Sequence, residues 1–321
     1  MLAEGKAVRI LDNFERNGVE RNKIWLEEIF GERIDYVRGD VRDANSVSKA
    51  MQGVAHVYHL AAQVAVTTSV LDPLSDFYTN ALGTLNVLEA ARQSKHPPAI
   101  LLASTNKVYG GMEDVAISES DGRYIYRDLC QGVDENRSLD FHSPYGCSKG
   151  AADQYVIDYS RIYGLRTVVF RMSCIYGTRQ FGSEDQGWIA HFVISAILGR
   201  PLTIYGDGKQ IRDVLFVEDL VDAYQSAMAK SDDLKGQVFN IGGGPDNILS
   251  LRDLIGELES RLGHSLNTDF DDWRPGDQRV YVSDIRKAKN VLDWNPKVSV
   301  SQGVGRLFDW VANNRPLFTS G

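Results

Sequence analysis

Five short, mostly apolar runs punctuate the first half of this chain, at residues 7–11, 34–38, 56–59, 100–103 and 167–171. Helical patterns separate them, at 21–30, 45–51, 71–94 and 144–163. Runs this brief and this apolar suit strands covered on both faces, and their alternation with helices predicts βαβ units around a parallel sheet. From about residue 178 the pattern loosens. Helices are expected at 188–198, 217–229, 250–262 and 304–313, and strands at 202–205 and 238–241, with Gly-rich turns at Gly206-Asp207-Gly208 and Gly242-Gly243-Gly244. The reading is an α/β chain with a doubly wound, Rossmann-like parallel sheet in residues 1–177. A smaller α/β lobe follows in 178–321, with the chain crossing back between lobes near 210–245. Residues 111–143 form a polar insertion dotted with aromatics, of a length that is usually functional or disordered.

Composition narrows the function classes. With 35 Lys and Arg against 43 Asp and Glu, the net charge is −8. That argues against a nucleic-acid partner, which favours a basic excess. A phosphorylated ligand stays open, because a few arginines suffice for one phosphate. Cys130, Cys147 and Cys174 are odd in number and widely spaced, so neither a disulfide framework nor a metal site is expected, and reduced thiols in the cytoplasm are. No apolar run reaches the roughly 18 residues of a membrane span.

Strand ends in a doubly wound sheet face the ligand crevice. Asp12-Asn13 follows the first run, where an acid can hydrogen-bond a ribose diol and would repel a 2′-phosphate, which favours NAD over NADP. Asp40-Val41 suits an adenine edge, Leu60-Ala61-Ala62 allows close approach of backbone to a pyrophosphate, and Asn80 is a polar residue inside a helical pattern. No strand with a Gly-rich turn precedes Asp12. The sheet is therefore expected to lack its first strand and the Gly-rich loop that holds a pyrophosphate.

Tyr145 and Lys149 stand four apart on the helix at 144–163, and so share a face. Such pairs are common as surface packing. What singles this one out is Ser104-Thr105 at a strand end upstream, which supplies a hydroxyl for the same substrate oxygen. An ammonium beside a phenol lowers its pKa from about 10, and a phenol so tuned can exchange a proton with an alcohol. Ser143 before Pro144 reads as the cap of that helix.

Together, Tyr145-x-x-x-Lys149, Thr105, His59-Leu60-Ala61-Ala62, Asn80 and Asp207-Gly208-x-x-x-Arg212-Asp213-Val214 resemble the extended short-chain dehydrogenases/reductases of the nucleotide-sugar epimerase and dehydratase group. The likeness covers nearly the whole chain. The 4,6-dehydratases follow this threonine with Asp-Glu, which run the elimination; here the positions are Asn106 and Lys107. Ser104 to Gly110, Asp140 to Tyr155, and Arg179-Gln180-Phe181 with Asp185-Gln186-Gly187-Trp188 most resemble CDP-paratose (CDP-tyvelose) 2-epimerases.

The resemblance implies an isomerase with tightly held NAD, acting on a CDP-activated hexose at C2 through a keto-sugar. Tyr145 would be the acid–base, and Lys149 would tune it and bind the nicotinamide ribose. Thr105 would hold the reacting oxygen, with Ser104 beside it lining the cofactor. Arg212 and Arg279 match positions that bind nucleotide phosphate or ribose, with Arg179 and Arg274 as weaker candidates; surface ion pairing is the alternative for each. Thr203 and Tyr205 would run along the nucleobase, and Gly187 and Trp188 would open a helix near the sugar, unless Trp188 is core. Asn106 and Lys107 would contact the sugar or simply cap the strand. His59 reads as a buried, hydrogen-bonded residue. Cys174 replaces an asparagine common in the group. A homodimer through helix 71–94 and the Tyr145 helix is also implied. A UDP-hexose 4-epimerase is the competing enzyme, and a non-catalytic nucleotide-sugar-binding protein the competing class.

Overall fold

The computed structural model describes residues 1–274 and 277–319. The chain runs through β1 (Val8–Asp12), α1 (Val19–Phe30), β2 (Ile34–Arg38), α2 (Ala44–Met51) and β3 (His56–His59). Next come α3 (Val66–Leu71), α4 (Pro73–Phe77), a π turn (Tyr78–Leu82), α5 (Gly83–Arg92) and β4 (Ala99–Thr105). Then follow β5 (Ile117–Ser120), β6 (Arg123–Tyr126), α6 (Ser143–Tyr163) and β7 (Thr167–Met172).

The helix expected over 71–94 is divided in three. Pro73 disfavours helical geometry at the residue before it, and Asp72 sits at φ −136°, ψ 78°. Its carboxylate then accepts the Ser75 N–H at 3.0 Å and restarts the helix. The π turn interrupts the helical phase a second time before α5 begins. At α6 the helix starts on Ser143 itself, at φ +65°, and its hydroxyl accepts the Gly146 N–H at 3.2 Å. The insertion contains the antiparallel β5–β6 hairpin, which period-2 patterning over four-residue strands is too short to announce.

The second part holds β8 (Cys174–Tyr176), α7 (Trp188–Leu198), β9 (Leu202–Tyr205), β10 (Ile211–Phe216), α8 (Val217–Ala229) and β11 (Gln237–Ile241). It continues with β12 (Ile248–Ser250), α9 (Leu251–Leu262), β13 (Thr268–Asp271), β14 (Val280–Tyr281), α10 (Arg286–Leu292), α11 (Val300–Asn313) and α12 (Pro316–Thr319). β11 returns to the first lobe, where the parallel sheet has the order β11-β7-β4-β3. β1 and β2 pair in parallel as a separate two-stranded sheet. In the other lobe β10 is the hub, parallel to β8 and β14 and antiparallel to β12, while β9 pairs with β13.

β4 and β7 are buried along almost their whole length. Alternate residues serve opposite cores, as the pleat requires. Leu101 and Phe170 pack with Ala223, Ala227 and Leu292 from α8 and α10. Ile100, Leu102 and Val169 pack with Val87, Leu88, Ala152 and Val156 from α5 and α6.

Where these elements meet below the strand ends, Arg171 grips Asp153 through two bonds of 2.9 Å. The pair is almost sealed, at 4% and 0% exposure. Ser104 donates to Asp153 at 2.9 Å, and Arg171 to the Tyr109 hydroxyl at 3.1 Å, which in turn donates to Asn240 at 2.7 Å. Burial alone would lower the Arg171 pKa, but the hydrogen bonds and charge of Asp153 outweigh it and hold it above the ordinary value. Breaking such a pair from one side leaves an uncompensated buried charge. Asp153→Ala should therefore cost about 3–5 kcal/mol in urea unfolding; a loss under about 1 kcal/mol would mean that the pair does not anchor the sheet to α6.

Candidate active site

The C-terminal end of β4 delivers Thr105, and the first turns of α6 deliver Tyr145 and Lys149. Tyr145 is buried at 7% exposure, and its phenol shares a hydrogen bond with the Thr105 hydroxyl. The Tyr145 backbone N–H donates to Ser69 of α3 at 3.1 Å, which ties the tyrosine to the preceding helix. Lys149 is 3% exposed and donates to the Ala103 carbonyl on β4 at 2.6 Å.

The tuning of the tyrosine departs from the expectation. Burial pushes the Tyr145 phenol up to about 12, against the hydrogen bond from Thr105, and the Asp76 charge adds to the rise. Burial pulls Lys149 down to about 8, with the carboxylates of Asp153 and Asp76 opposing. The sequence pattern counted the attraction between phenolate and ammonium. Taking both groups out of water is the larger effect, and the lysine points to a carbonyl. His59 is buried and held at about 3 by burial and then by the Lys149 charge; Nε2 lies 2.9 Å from the Thr84 hydroxyl. It is a neutral packing residue.

Three consecutive side chains leave β4 in three directions. Thr105 meets Tyr145. Asn106 is buried and donates to Gln278 at 3.3 Å, and Gln278 donates to the Gly110 carbonyl at 2.6 Å. Lys107 lies near Arg212, Asp277 and Cys174; burial first, then the Arg212 charge, lower it to about 8. Arg212 on β10 donates to Asp277 at 2.6 Å. Trp188, at the start of α7, donates to the Cys174 sulfur at 3.5 Å, so its indole closes the same corner. Gly187 caps α7 from the left-handed region, φ +73°, where a Cβ would come within 2.9 Å of Gln180. Asp277 and Gln278 escaped the sequence reading, because a run of Asp-Gln-Arg in a loop carries no periodicity.

The cofactor-side residues divide. Asp12, at the end of β1, accepts the Phe14 N–H on one oxygen at 2.8 Å. Asn13 donates to Asp40 at 3.1 Å, and hydrogen bonds from Arg42 hold Asp40 down at about 2. Asn13, Arg16, Arg42 and Ala62 line one cleft of about 640 Å³, together with Gln63 and Phe181. Leu60 and Ala61 are exposed beside Ala62. Three of them have side chains engaged within the protein. Val41 turns its side chain into the core below α2 and α5. Ser104 directs its hydroxyl to Asp153. Asn80 is 1% exposed and clamps both backbone groups of Gln63, at 2.9 and 3.0 Å. It holds the 60–63 segment in place.

The outer substrate-side residues also divide. Thr203 and Tyr205 share the outward face of β9, while Leu202 and Ile204 are buried. Tyr205 donates to Glu184, and the Arg274 guanidinium lies 3.9 Å from its ring centroid. Arg279 lies between the rings of Tyr124 and Trp273, at 5.4 and 5.5 Å. Tyr124 belongs to the hairpin and donates to Asp207 at 2.5 Å. Arg179 is placed away from this group: its guanidinium stacks on Trp25 at 3.8 Å and approaches Trp310 at 5.8 Å, fastening α1 to α11.

A hydroxyl, a phenol and an ammonium at the strand ends, facing paired cations across the lobes, can exchange a proton with an alcohol next to an anionic group. Residues 1–307 match the family described as GDP-mannose 4,6 dehydratase. The chain belongs to this family, within the extended short-chain dehydrogenases/reductases. It is 44% identical over 319 residues to a CDP-paratose 2-epimerase of Salmonella typhi, covering 97% of this chain and 94% of that one. The structure is similar to a UDP-glucose 4-epimerase of Thermus thermophilus in complex with NAD, with TM-score 0.80, 28% identity, and 100% and 94% of the two chains covered. It is similar also to a UDP-glucuronic acid 4-epimerase of Bacillus cereus, in complex with UDP-glucuronic acid and NAD, with TM-score 0.82, 28% identity, and 97% and 92% covered.

The Lys107 value carries a sign that can be measured. Unfolded, a lysine keeps its proton to about 10.4; folded, Lys107 releases it near 8. Between those values the unfolded chain binds more protons, so stability from this group rises with pH, and the penalty is fully present below about 8. The Tm of Lys107→Met relative to wild type should therefore be higher at pH 7 than at pH 10. An equal difference at both pH values would show that the ammonium is not penalised by its site.

Proposed function

We propose that this chain is an NAD-dependent isomerase that inverts C2 of a CDP-activated hexose through a transient keto-sugar. The observation that carries the reading is the corner at the end of β4. Thr105 meets the buried Tyr145, while the next two positions hold an amide and an ammonium, not the carboxylates of an elimination. The relative named CDP-paratose 2-epimerase, matched over 97% of this chain, supports the nucleotide and the ring position.

The residues present fit NAD at both ends of the cleft. Asp12 leaves one oxygen for a ribose diol, with Asn13 and Asp40 beside it, and the exposed Leu60 and Ala61, next to Ala62 in the cleft wall, suit the pyrophosphate. NAD supplies a hydride acceptor and donor, so the reaction has no net redox change. Tyr145 takes the hydroxyl proton as the carbon is oxidised and returns it after the keto-sugar presents its other face. Thr105 holds the reacting oxygen within reach of the phenol. Lys149 keeps a positive charge behind it, fixed by the Ala103 carbonyl. Arg212, with Lys107 next to it, faces the diphosphate, and Asp277 suits a ribose hydroxyl. Thr203 and Tyr205 edge the base. Trp188 and Cys174 close the sugar corner, where a thiol in place of an amide removes one hydrogen bond to the hexose.

The face formed by α3, α4, the π turn and α6 carries exposed Val70, Leu71, Leu74, Phe77, Tyr155, Ile162 and Tyr163, with Leu71 at 86% exposure. Contiguous apolar surface of this kind marks an association site. We assign it to a homodimer in which the helix bearing Tyr145 is braced by its copy. No helix among the described residues is long and apolar enough to cross a membrane. The exposed thiols Cys130 and Cys147 suit a cytoplasmic enzyme.

Incubation of the full chain and NAD with CDP-paratose or CDP-tyvelose should give both C2 epimers, resolved by NMR. Interconversion of UDP-glucose and UDP-galactose, with the CDP-sugars untouched, would replace the reading with a 4-epimerase. Tyr145→Phe should lower turnover by roughly 10²–10⁴-fold and leave nucleotide binding largely intact; unimpaired turnover would remove Tyr145 from the chemistry. For the association face, Leu71→Glu with Leu74→Glu should convert a dimer to a monomer in sedimentation velocity. A wild type that sediments as a monomer would refute the dimer.

A further inference from the structure

The β5–β6 hairpin interrupts the chain between β4 and α6, so by sequence it belongs to the first lobe. Its contacts lie with the second. Ile117, Ile125 and Tyr126 pack on Ile211, Val280 and Val282. The Tyr126 hydroxyl donates to the Val280 carbonyl at 2.9 Å, the Tyr124 N–H to the Lys209 carbonyl at 3.0 Å, and Lys209 Nζ to Glu119 at 2.7 Å. An isolated two-stranded hairpin is marginally stable at best in water. The sheet of the second lobe holds this one, and that docking sets where Tyr124 stands.

Tyr124 stands over Arg279. The guanidinium lies 5.4 Å from the Tyr124 ring centroid and 5.5 Å from that of Trp273. One loop seats both rings. Gly206, at φ +78°, packs so closely on Trp273 that a Cβ there would come within 2.5 Å of the indole. The next residue, Asp207, accepts the Tyr124 hydroxyl at 2.5 Å. Other arginines of this region are occupied: Arg212 holds Asp277, Arg274 holds Glu184, and Arg252 holds the Asp207 carbonyl. Arg279 is exposed, and its side chain forms no hydrogen bond or ion pair among the described residues. Two aromatic faces attract the cation and fix its plane without neutralising it. Its N–H edge is left for a ligand, and planar, bidentate donation suits a phosphate. The neighbours in sequence lead to the candidate active site. Asp277 receives Arg212, and Gln278 receives Asn106, the residue after Thr105.

We propose that Tyr124, carried by the hairpin, is with Trp273 a positioning residue that holds Arg279 ready for the diphosphate of the nucleotide sugar. The stack recognises phosphate and is indifferent to the base. The inference rests on the reading of the second lobe as a nucleotide-sugar site.

Binding to the full chain in excess NAD tests this without turnover, with CDP followed by calorimetry and cytidine by NMR titration. Tyr124→Leu should weaken CDP about three- to tenfold, as loss of a cation–π face implies. Arg279→Met should weaken it about tenfold or more. Added to Arg279→Met, Tyr124→Leu should cost less than about twofold further, because Tyr124 acts through the guanidinium. Cytidine, which lacks the phosphates, should bind all of these proteins alike. A residue that only supported the fold would give additive losses of CDP affinity, or a loss for cytidine as large as that for CDP; either result would overturn the proposal. Should Tyr124→Leu fail to fold, Trp273→Leu takes its place in the same cycle at a partly exposed ring. The same coupling is expected there, and additivity again counts against the inference. UDP in place of CDP separates the inference from the proposed reaction. Coupling seen with UDP, and no binding of CDP, would leave Tyr124 in place and refute the cytidine reading. Epimerisation of a CDP-sugar by a protein whose variants are additive would leave the reaction standing and sink the stack. Binding of neither nucleotide would overturn both.

Discussion

The ion pair between Asp153 and Arg171 is the constraint on which the site depends. A carboxylate with no exposure can stay charged only if something offsets its lost hydration, and here two guanidinium bonds and the Ser104 hydroxyl do so. The partners come from a helix and two adjacent strands: Asp153 from α6, Arg171 from β7, Ser104 from β4. The three elements cannot slide without breaking a charged bond in a dry interior. That fixes the height of α6 against the strand ends, and with it the position of Tyr145 over Thr105. An apolar core of the same size would allow the helix to settle a fraction of a turn either way.

Burial sets the chemistry as firmly as it sets the geometry. The phenol stands high and the ammonium low because both have lost water. A group in this condition responds strongly to any charge placed beside it, since the low local dielectric magnifies each added interaction. The site is therefore responsive where a solvent-exposed Tyr–Lys pair would be inert. The same sensitivity makes remote residues matter. Asn80 never needs to touch a ligand to be functional, because it clamps Gln63 and Asp76 at once, holding the loop that lines the cofactor cleft and the helix behind the lysine.

Much of this was legible in the sequence. The strand runs at 34–38 and 56–59 coincide with β2 and β3, and the helices at 188–198 and 217–229 with α7 and α8, because short apolar runs and long amphipathic stretches are what those elements require. Tyr145 meets Thr105, while Lys149, one turn along the same helix, reaches the Ala103 carbonyl of β4. The failures have identifiable physical sources. The helix at 71–94 reads as continuous because its apolar pattern is continuous, while Asp72-Pro73 and the π turn act through backbone geometry. Ser104 sits near the end of β4 and Val41 in the turn after β2, and each side chain is drawn inward, to Asp153 and to the core between α2 and α5. Arg179 was read by charge, but its environment is two tryptophans, distant in sequence, which only the folded chain brings together. Asp277 and Gln278 were invisible because their meaning lies in which residues face them.

The corner at residues 105–107 shows how a local substitution becomes a global property. β4 ends in a tight 3-10 turn over Asn106–Tyr109, and the turn sends three adjacent side chains to three partners. Thr105 stays with the first lobe, Asn106 reaches Gln278 of the second, and Lys107 joins Arg212 and Asp277. Two cations here share one acid, an arrangement that suits a ligand bringing negative charge of its own. An acid pair at 106 and 107 would cancel that positive field and offer a base to a sugar carbon. In the proposed reading the amide and the ammonium do the opposite: they favour an anionic nucleotide and leave Tyr145 as the group at this corner that moves a proton to and from the sugar oxygen. The proposed inversion of a single ring centre asks for that division of labour.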